Sequence, residues 1–161
     1  MVIVNGVGGT CAGCTIRRAT VEDIPDIYRI ELMCFKDPWD YKAMLEMMTV
    51  FLTSFYVAEA NGRLVGFSAG AIEETDNEKY GHICNLAVVP EMRTLGIGRL
   101  LLRRLERDFF LEACTACSLE VRKSNVSAHG FYEKIGYEDV IVFGGYYADG
   151  EDAVVMMRWF E

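Results

Sequence analysis

Residues 93–98 read Arg93-Thr94-Leu95-Gly96-Ile97-Gly98, and their flanks restrict what the segment can become. An apolar run, Leu86-Ala87-Val88-Val89-Pro90, stands before them. After them Leu101, Leu102, Leu105 and Phe109 recur at helical spacing, with Arg99, Arg103 and Glu106 on the other face. The order is strand, glycine loop, helix start. Such a junction presents backbone N–H groups that have no internal partner, which suits a phosphate. Glycines there let an anion approach because no β-carbon stands in the way. The ligand this implies carries a pyrophosphate. No Gly-Lys-Ser/Thr follows, which excludes a P-loop, and the third glycine of a dinucleotide fingerprint is missing.

The 161 residues make one domain with enough chain to bury a sizeable core. An apolar content of 52% is that of a folded globular protein. No run of about 18 apolar residues offers a membrane span; Leu64–Ile72 is too short and is interrupted by small and polar residues. Residues 1–9 lack the basic start of a secretory signal, so the location read from the sequence is cytoplasmic. Lys and Arg number 16 against 24 Asp and Glu, a net charge of −8 that argues against nucleic acid as a partner unless cations gather. Arg99, Arg103, Arg104 and Arg107 do gather on one helix, either as a solvated face or as a positive field beside a phosphate ligand. Of the six cysteines, Cys11-x-x-Cys14 and Cys114-x-x-Cys117 have the local spacing of metal pairs, but about a hundred residues separate the two. They read first as ordinary thiols with no metal site, with zinc binding and a disulfide as the alternatives left open.

Residues 1–14 are small, Gly-rich and without period, the pattern of a flexible extension, and 15–161 form the domain. Thr15–Ala19 is a short strand. A helix over Thr20–Phe35 places Ile24, Ile27, Tyr28 and Glu31 at helical spacing, with Thr20 or Asp23 as its cap and Pro25 near its start. Pro38-Trp39 breaks the chain before a Met-rich helix over Tyr41–Leu52, whose Met44, Met47 and Met48 read as core. Two extended runs then flank Asn61-Gly62, a hairpin turn. A third strand covers about His82–Val88, and the helix from Gly96 follows. Cys117–Val121 is a strand in which Leu119 and Val121 alternate with Ser118 and Glu120. Ser124 or Asn125 caps a short helix with Ala128, Phe131, Tyr132 and Ile135 on its apolar face, His129 toward solvent and Gly136 at its end. Two extended segments close the chain. The order βααβββαβαββ is that of an α/β domain with a mixed, mostly antiparallel sheet flanked by helices.

Four stretches give this pattern a family resemblance: Gly81-His82-Ile83 through Leu86-Ala87-Val88; Arg93-x-x-Gly96-x-Gly98; Leu119-Glu120-Val121-Arg122 with Ser124-Asn125; and Gly145-Tyr146-Tyr147-Ala148-Asp149-Gly150-Glu151-Asp152-Ala153. The chain resembles the GNAT superfamily of acetyl-CoA-dependent N-acetyltransferases from about Ile16 to its end. Within that superfamily it is similar to the protein N-terminal acetyltransferases, RimI-like and archaeal. The glycine loop carries only the superfamily. Leu-Glu-Val-Arg with Ser-Asn, followed by Tyr-Tyr and Glu-Asp-Ala, carries peptide α-amine acetylation.

The resemblance implies acetyl-CoA as cosubstrate. Its pyrophosphate would lie on the amides of Arg93, Thr94, Leu95, Gly96, Ile97, Gly98 and Arg99, and its pantetheine along Leu86, Ala87 and Val88, which splay from Leu119–Val121 to open a slot. It implies Glu120 as base, directly or through a water, with His82 matching a histidine that some archaeal members use beside the glutamate. Tyr132 matches the tyrosine that protonates the leaving sulfur, and Asn125 an asparagine on the CoA chain. A backbone N–H near Val88 would hold the oxyanion. Tyr146 and Tyr147 would cover the peptide N-terminus, with Phe35 and Asp37 in the loop that shapes the first-residue pocket. Phe35-x-x-Pro38-Trp39 is similar to the bacterial RimI type rather than to the Leu-Pro-Glu word of many archaeal and eukaryotic members. Partners implied are protein or peptide N-termini, ribosomal proteins or nascent chains among them, met by a monomer or weak dimer. Two other readings stay open at this point: a GNAT acting on a small-molecule amine, and a non-catalytic acyl-CoA sensor.

Overall fold

The computed structural model describes residues 13–51 and 54–161. Most of the expected N-terminal extension, Cys11 included, lies outside the described residues. The domain is built as β1 (Cys14–Arg18), α1 (Ile24–Cys34), α2 (Tyr41–Glu46), β2 (Ser54–Ala60), β3 (Arg63–Glu74), β4 (Lys79–Val88), α3 (Ile97–Leu111), β5 (Ala116–Arg122), α4 (Val126–Lys134), β6 (Glu138–Phe143) and β7 (Ala153–Trp159). The element order is the one read from the sequence. The first two helices differ in detail: a 3-10 turn at Val21–Asp23 precedes α1, and α2 passes into a π turn at Met47–Phe51. The seven strands form one sheet in the order β1-β2-β3-β4-β5-β7-β6, antiparallel throughout except for β4 beside β5. No helix among the described residues is long and apolar enough to cross a membrane.

Local chemistry explains the joints. Asn61 and Gly62 both take positive φ (52° and 72°), as a two-residue turn between twisted strands requires. Asp23 accepts the Thr20 N–H at 2.8 Å and a fork from Arg17 at 2.7 and 2.8 Å, fastening the end of β1 to the start of α1. Asn125 accepts the Ala128 N–H at 3.1 Å and so caps α4 as its residue type predicts.

Strands β2 and β3 are buried on both faces over most of their length, because helices cover both sides. Helix α3 supplies Ile97, Leu101, Leu102, Leu105 and Phe109 to the core, each contributing about 2 kcal/mol of burial before entropy is charged against it. Two carboxylates pin its flanks. Asp108 accepts from Ser54, Tyr56 and Arg18, and Glu106 accepts from Tyr137 at 3.0 Å and Arg158 at 2.9 Å. Glu106 therefore does not lie on the solvent face assigned to it from helical spacing; a polar partner on β7 and another before β6 draw it inward. His129 is likewise not simply solvent-facing, since its Nε2 lies 2.8 Å from Asp139 of β6.

The Phe109 ring lies where two glycines leave room. A β-carbon at Gly81 would stand 2.1 Å from Phe109 Cδ2, and one at Gly70 would stand 2.5 Å from Phe109 Cζ. Gly81→Ala should therefore cost about 1–3 kcal/mol through overpacking, read as a lower urea midpoint with unchanged slope. An unchanged midpoint would mean that the ring is free to move aside.

Candidate active site

Strand β4 turns over in the middle of its course. Ala69 pairs with Asn85 and Gly70 with Ile83, which leaves Cys84 as an extra residue opposite no partner. Before this bulge Gly81 faces α3, against Phe109. After it Val88 faces α3, beside Gly66 and Leu101, while Asn85 reaches Glu31 of α1 at 2.8 Å. The bulge thus places His82, three residues before Asn85, on the same side as Asn85 and away from α3.

The parallel pairing of β4 with β5 is short. It joins Tyr80 to Ala116, Gly81 to Cys117 and His82 to Ser118, then stops, although β4 continues to Val88 and β5 to Arg122. The strands part at the bulge. At the point of parting His82 Nε2 lies 2.7 Å from Glu120 Oε2. On its other side His82 Nδ1 lies 3.2 Å from Glu73 Oε1 of β3 and 3.9 Å from Cys84 Sγ. Burial works against charge on His82, but its hydrogen bonds with Cys84 and Glu120 and the charge of Glu120 outweigh it, and the imidazole is pushed up to about 10. Raised in this way, the imidazole favours its protonated form.

Two loops close over this point. Tyr146 is half exposed in the β6–β7 loop, and its hydroxyl is pushed up first by burial and then by Glu120, Glu73 and Cys84. Tyr147 packs edge-on to it at 5.1 Å. Phe35 packs half-buried on the core at the end of α1, and Asp37 is exposed with its carboxylate paired to Arg122. Glu31, almost fully buried, holds this second loop by accepting the Trp39 N–H at 2.9 Å, and burial pushes its carboxyl up.

The glycine loop leads into α3 as read from the sequence, with one change in how its glycines work. Gly96 takes φ 84° as the N-cap, so it serves conformation. A β-carbon at Gly98 would make only ordinary contacts, 3.6 Å from Phe131 and 3.8 Å from Val88. The first turn-closing bond is Leu100 N–H to the Gly96 carbonyl, which leaves the amides of Ile97, Gly98 and Arg99 without an intrahelical acceptor. Thr94 and Leu95 are exposed; Arg93 folds back, its Nε donating to the Val88 carbonyl at 2.9 Å. Tyr132 lies buried between Phe131 and Tyr137 on α4, its rings edge-on to both. Tyr137 bonds Glu106 of α3 and Phe131 borders Gly98 at the start of α3, so Tyr132 packs beside that helix. Burial pushes its hydroxyl up.

The acetyltransferase (GNAT) family model matches residues 24–137. The chain belongs to the GNAT family. It is therefore an acetyl-CoA-dependent acyltransferase. It is 40% identical over 89% of its length to an uncharacterized N-acetyltransferase of Methanocaldococcus jannaschii, covering 90% of that protein. It is 39% identical, again over 89% of its length, to the Arabidopsis thaliana N-terminal acetyltransferase A complex catalytic subunit NAA10, covering 76% of it. Among solved structures it superposes on Ard1 from Thermoplasma volcanium with TM-score 0.85 and 27% identity, over 92% of this chain and 99% of that one.

The GNAT domain thus brings His82 and Glu120 together and brings Asp37 and Tyr147 to Arg122, while Tyr132 packs between Phe131 and Tyr137. Sequence reading missed Glu31, Glu73 and the bulge at Cys84. A glutamate at an apolar helical position was the one available signal for Glu31.

Because His82 is raised above its unfolded value, its ion pair stabilises the fold fully below about pH 6.5. That contribution is lost as pH rises through the folded value near 10. The stability gap between wild type and His82→Ala, measured by urea unfolding across pH 6–10, should narrow with rising pH. A gap that widens would mean that His82 is neutral in the folded chain.

Proposed function

We propose that this chain transfers acetyl from acetyl-CoA to the α-amino group of protein N-termini. The observation that carries the reading is the His82–Glu120 pair at the parting of β4 and β5, beneath a loop bearing Tyr146 and Tyr147. Relatives named for N-terminal acetylation, the plant catalytic subunit among them, support the α-amine as acceptor. Ribosomal proteins and nascent chains are the acceptors in view, as for the relative named as a putative alanine N-acetyltransferase of ribosomal protein bS18 in Bacillus subtilis.

The residues present fit the cosubstrate. Ile97, Gly98 and Arg99 offer free amides at a helix start, where an anionic pyrophosphate is favoured. Leu86, Ala87 and Val88 lie on the strand that has left its neighbour, where backbone can pair with an amide-bearing chain. Asn125 spends its side-chain oxygen on the cap, and its Nδ2 is left to donate to that chain. Acetyl-CoA, when bound, supplies the thioester whose acetyl group is transferred.

The protein's task is then mostly the proton. A peptide α-amine has a pKa of about 8, so a fair fraction is neutral near pH 7. Glu120 takes the remaining proton, directly or through a water. His82 Nε2 engages one Glu120 oxygen and leaves the other for the amine, so that the two side chains act on the proton together. Tyr132 stays protonated at every working pH and donates to the leaving sulfur. Tyr146 and Tyr147 grip peptide backbone through their hydroxyls, with Phe35 lining the first-residue pocket. Glu73 and Glu120 make this side of the sheet acidic, which draws in cationic N-termini.

The test is acetyl transfer to peptides beginning with Ser, Ala, Thr, Met-Leu and Met-Glu, each free and N-blocked. Free peptides should be acetylated and blocked ones left alone; equal transfer to both would move the activity to side chains. Glu120→Gln should lower kcat by about 100-fold or more with acetyl-CoA affinity retained by calorimetry. Unchanged turnover would remove Glu120 as the base.

A further inference from the structure

Arg122 ends β5, opposite Ala153 of β7, and the two loops that close the candidate site meet on its guanidinium. From the α1–α2 loop, Asp37 accepts from Nη2. From the β6–β7 loop, Asp149 accepts from Nη1 with both oxygens at 3.1 Å and Glu151 accepts at 2.7 Å. The flat face of the same group lies on the Tyr147 ring, with Cζ 3.9 Å from the centroid. A second tie runs parallel to it, Lys36 Nζ to Asp149 Oδ2 at 2.5 Å. Glu151 is held in turn by the Ser124 N–H at 2.8 Å. More than a hundred residues separate the two loops in sequence.

We infer that Arg122 is a positioning residue that clasps the α1–α2 and β6–β7 loops into a single wall of the peptide site, so that the order of each loop depends on the other. This rests on the acyl-transfer reading above. Asp37, which the family resemblance gave to substrate, acts in this arrangement through Arg122, because its carboxylate is already engaged.

The geometry asks for arginine in particular. A guanidinium can present its edge to carboxylates and its face to an aromatic ring at the same time. An ammonium has no face to stack and no fork to span three carboxylates. Tyr147 is thereby fixed, Tyr146 packs on Tyr147, and Tyr146 lies within the field of Glu120 and Glu73. Loosening Arg122 would displace the tyrosines that face the acceptor and leave the amides at the start of α3 untouched.

The decisive readout needs no substrate. Asp37→Asn changes one exposed side chain in the first loop. Hydrogen exchange should then quicken by about ten-fold not only near residue 37 but also at residues 145–152 of the other loop. Arg122→Ala should quicken both loops together. With acetyl-CoA and a free N-terminal peptide, Arg122→Ala should raise the peptide KM by about ten-fold while acetyl-CoA Kd is unchanged, and Arg122→Lys should restore only a small part. Exchange that quickens in the mutated loop alone overturns the clasp, as does a peptide KM restored in full by lysine. A wild type that leaves free peptides unacetylated overturns the acyl-transfer reading and the substrate role of the clasp with it; the exchange result then still reports whether the loops are joined.

Discussion

The parting of β4 from β5 is the constraint on which the rest of this molecule depends. A parallel pair in mid-sheet would ordinarily be zipped along its length, because backbone groups left without partners in a core are costly. Here pairing ends after three residues on each strand. The bulge at Cys84 falls just beyond the last pair, in the strand that has to turn away. It is held from both sides: Asn85 bonds to buried Glu31 on α1, and Val88 packs toward α3. An interruption that would be a defect elsewhere is thus locked by packing on both faces. Leu86–Val88 thus run on without β5 as a neighbour, still paired to β3 and with the Val88 carbonyl accepting from Arg93 Nε.

The same bulge sorts chemistry to the two sides of the sheet. Without the extra residue, strict alternation would put His82 and Asn85 on opposite faces. With it, His82, Asn85 and the Glu120 side chain share one side, while the loop into α3 and the amides at its start belong to the other. Glu120 is held at 2.7 Å by the His82 imidazole, and burial pushes the Tyr132 hydroxyl up.

Much of this was legible in the sequence where the signal is local and periodic. Alternation and helical spacing are enough for the eleven elements in order, Asn61-Gly62 for the hairpin, and the Gly96 loop for the start of α3, because one face of each element is buried and the turn residues have few alternatives. What was not legible depends on distant partners. Glu106 fell on the polar side of a helical wheel, yet two hydrogen bonds from Tyr137 and Arg158 draw it in. His129 stood beside Ala128 on a short helix, and only the pairing of β6 with β7 brings Asp139 to it. A bulge such as that at Cys84 leaves no trace in hydropathy. The glycines illustrate the division well: their presence marks the loop, but only φ separates Gly96, which needs its freedom, from Gly98, which keeps an ordinary backbone.

A sheet that is open at one place and covered on both faces also separates two kinds of selectivity. Whatever binds at the α3 start meets backbone amides, which recognise phosphate by geometry and carry little side-chain variation. Whatever enters over Glu120 meets Phe35, Tyr146 and Tyr147, all on loops whose sequence can change without disturbing the core. A change in what enters over Glu120 is therefore available to this fold through the α1–α2 and β6–β7 loops at little cost to the start of α3. The departure of Phe35-x-x-Pro38-Trp39 from the archaeal word falls in the first of those loops. The requirement that remains is mechanical: both loops must close on the same guanidinium, since each supplies carboxylates that would otherwise repel across the mouth of the site.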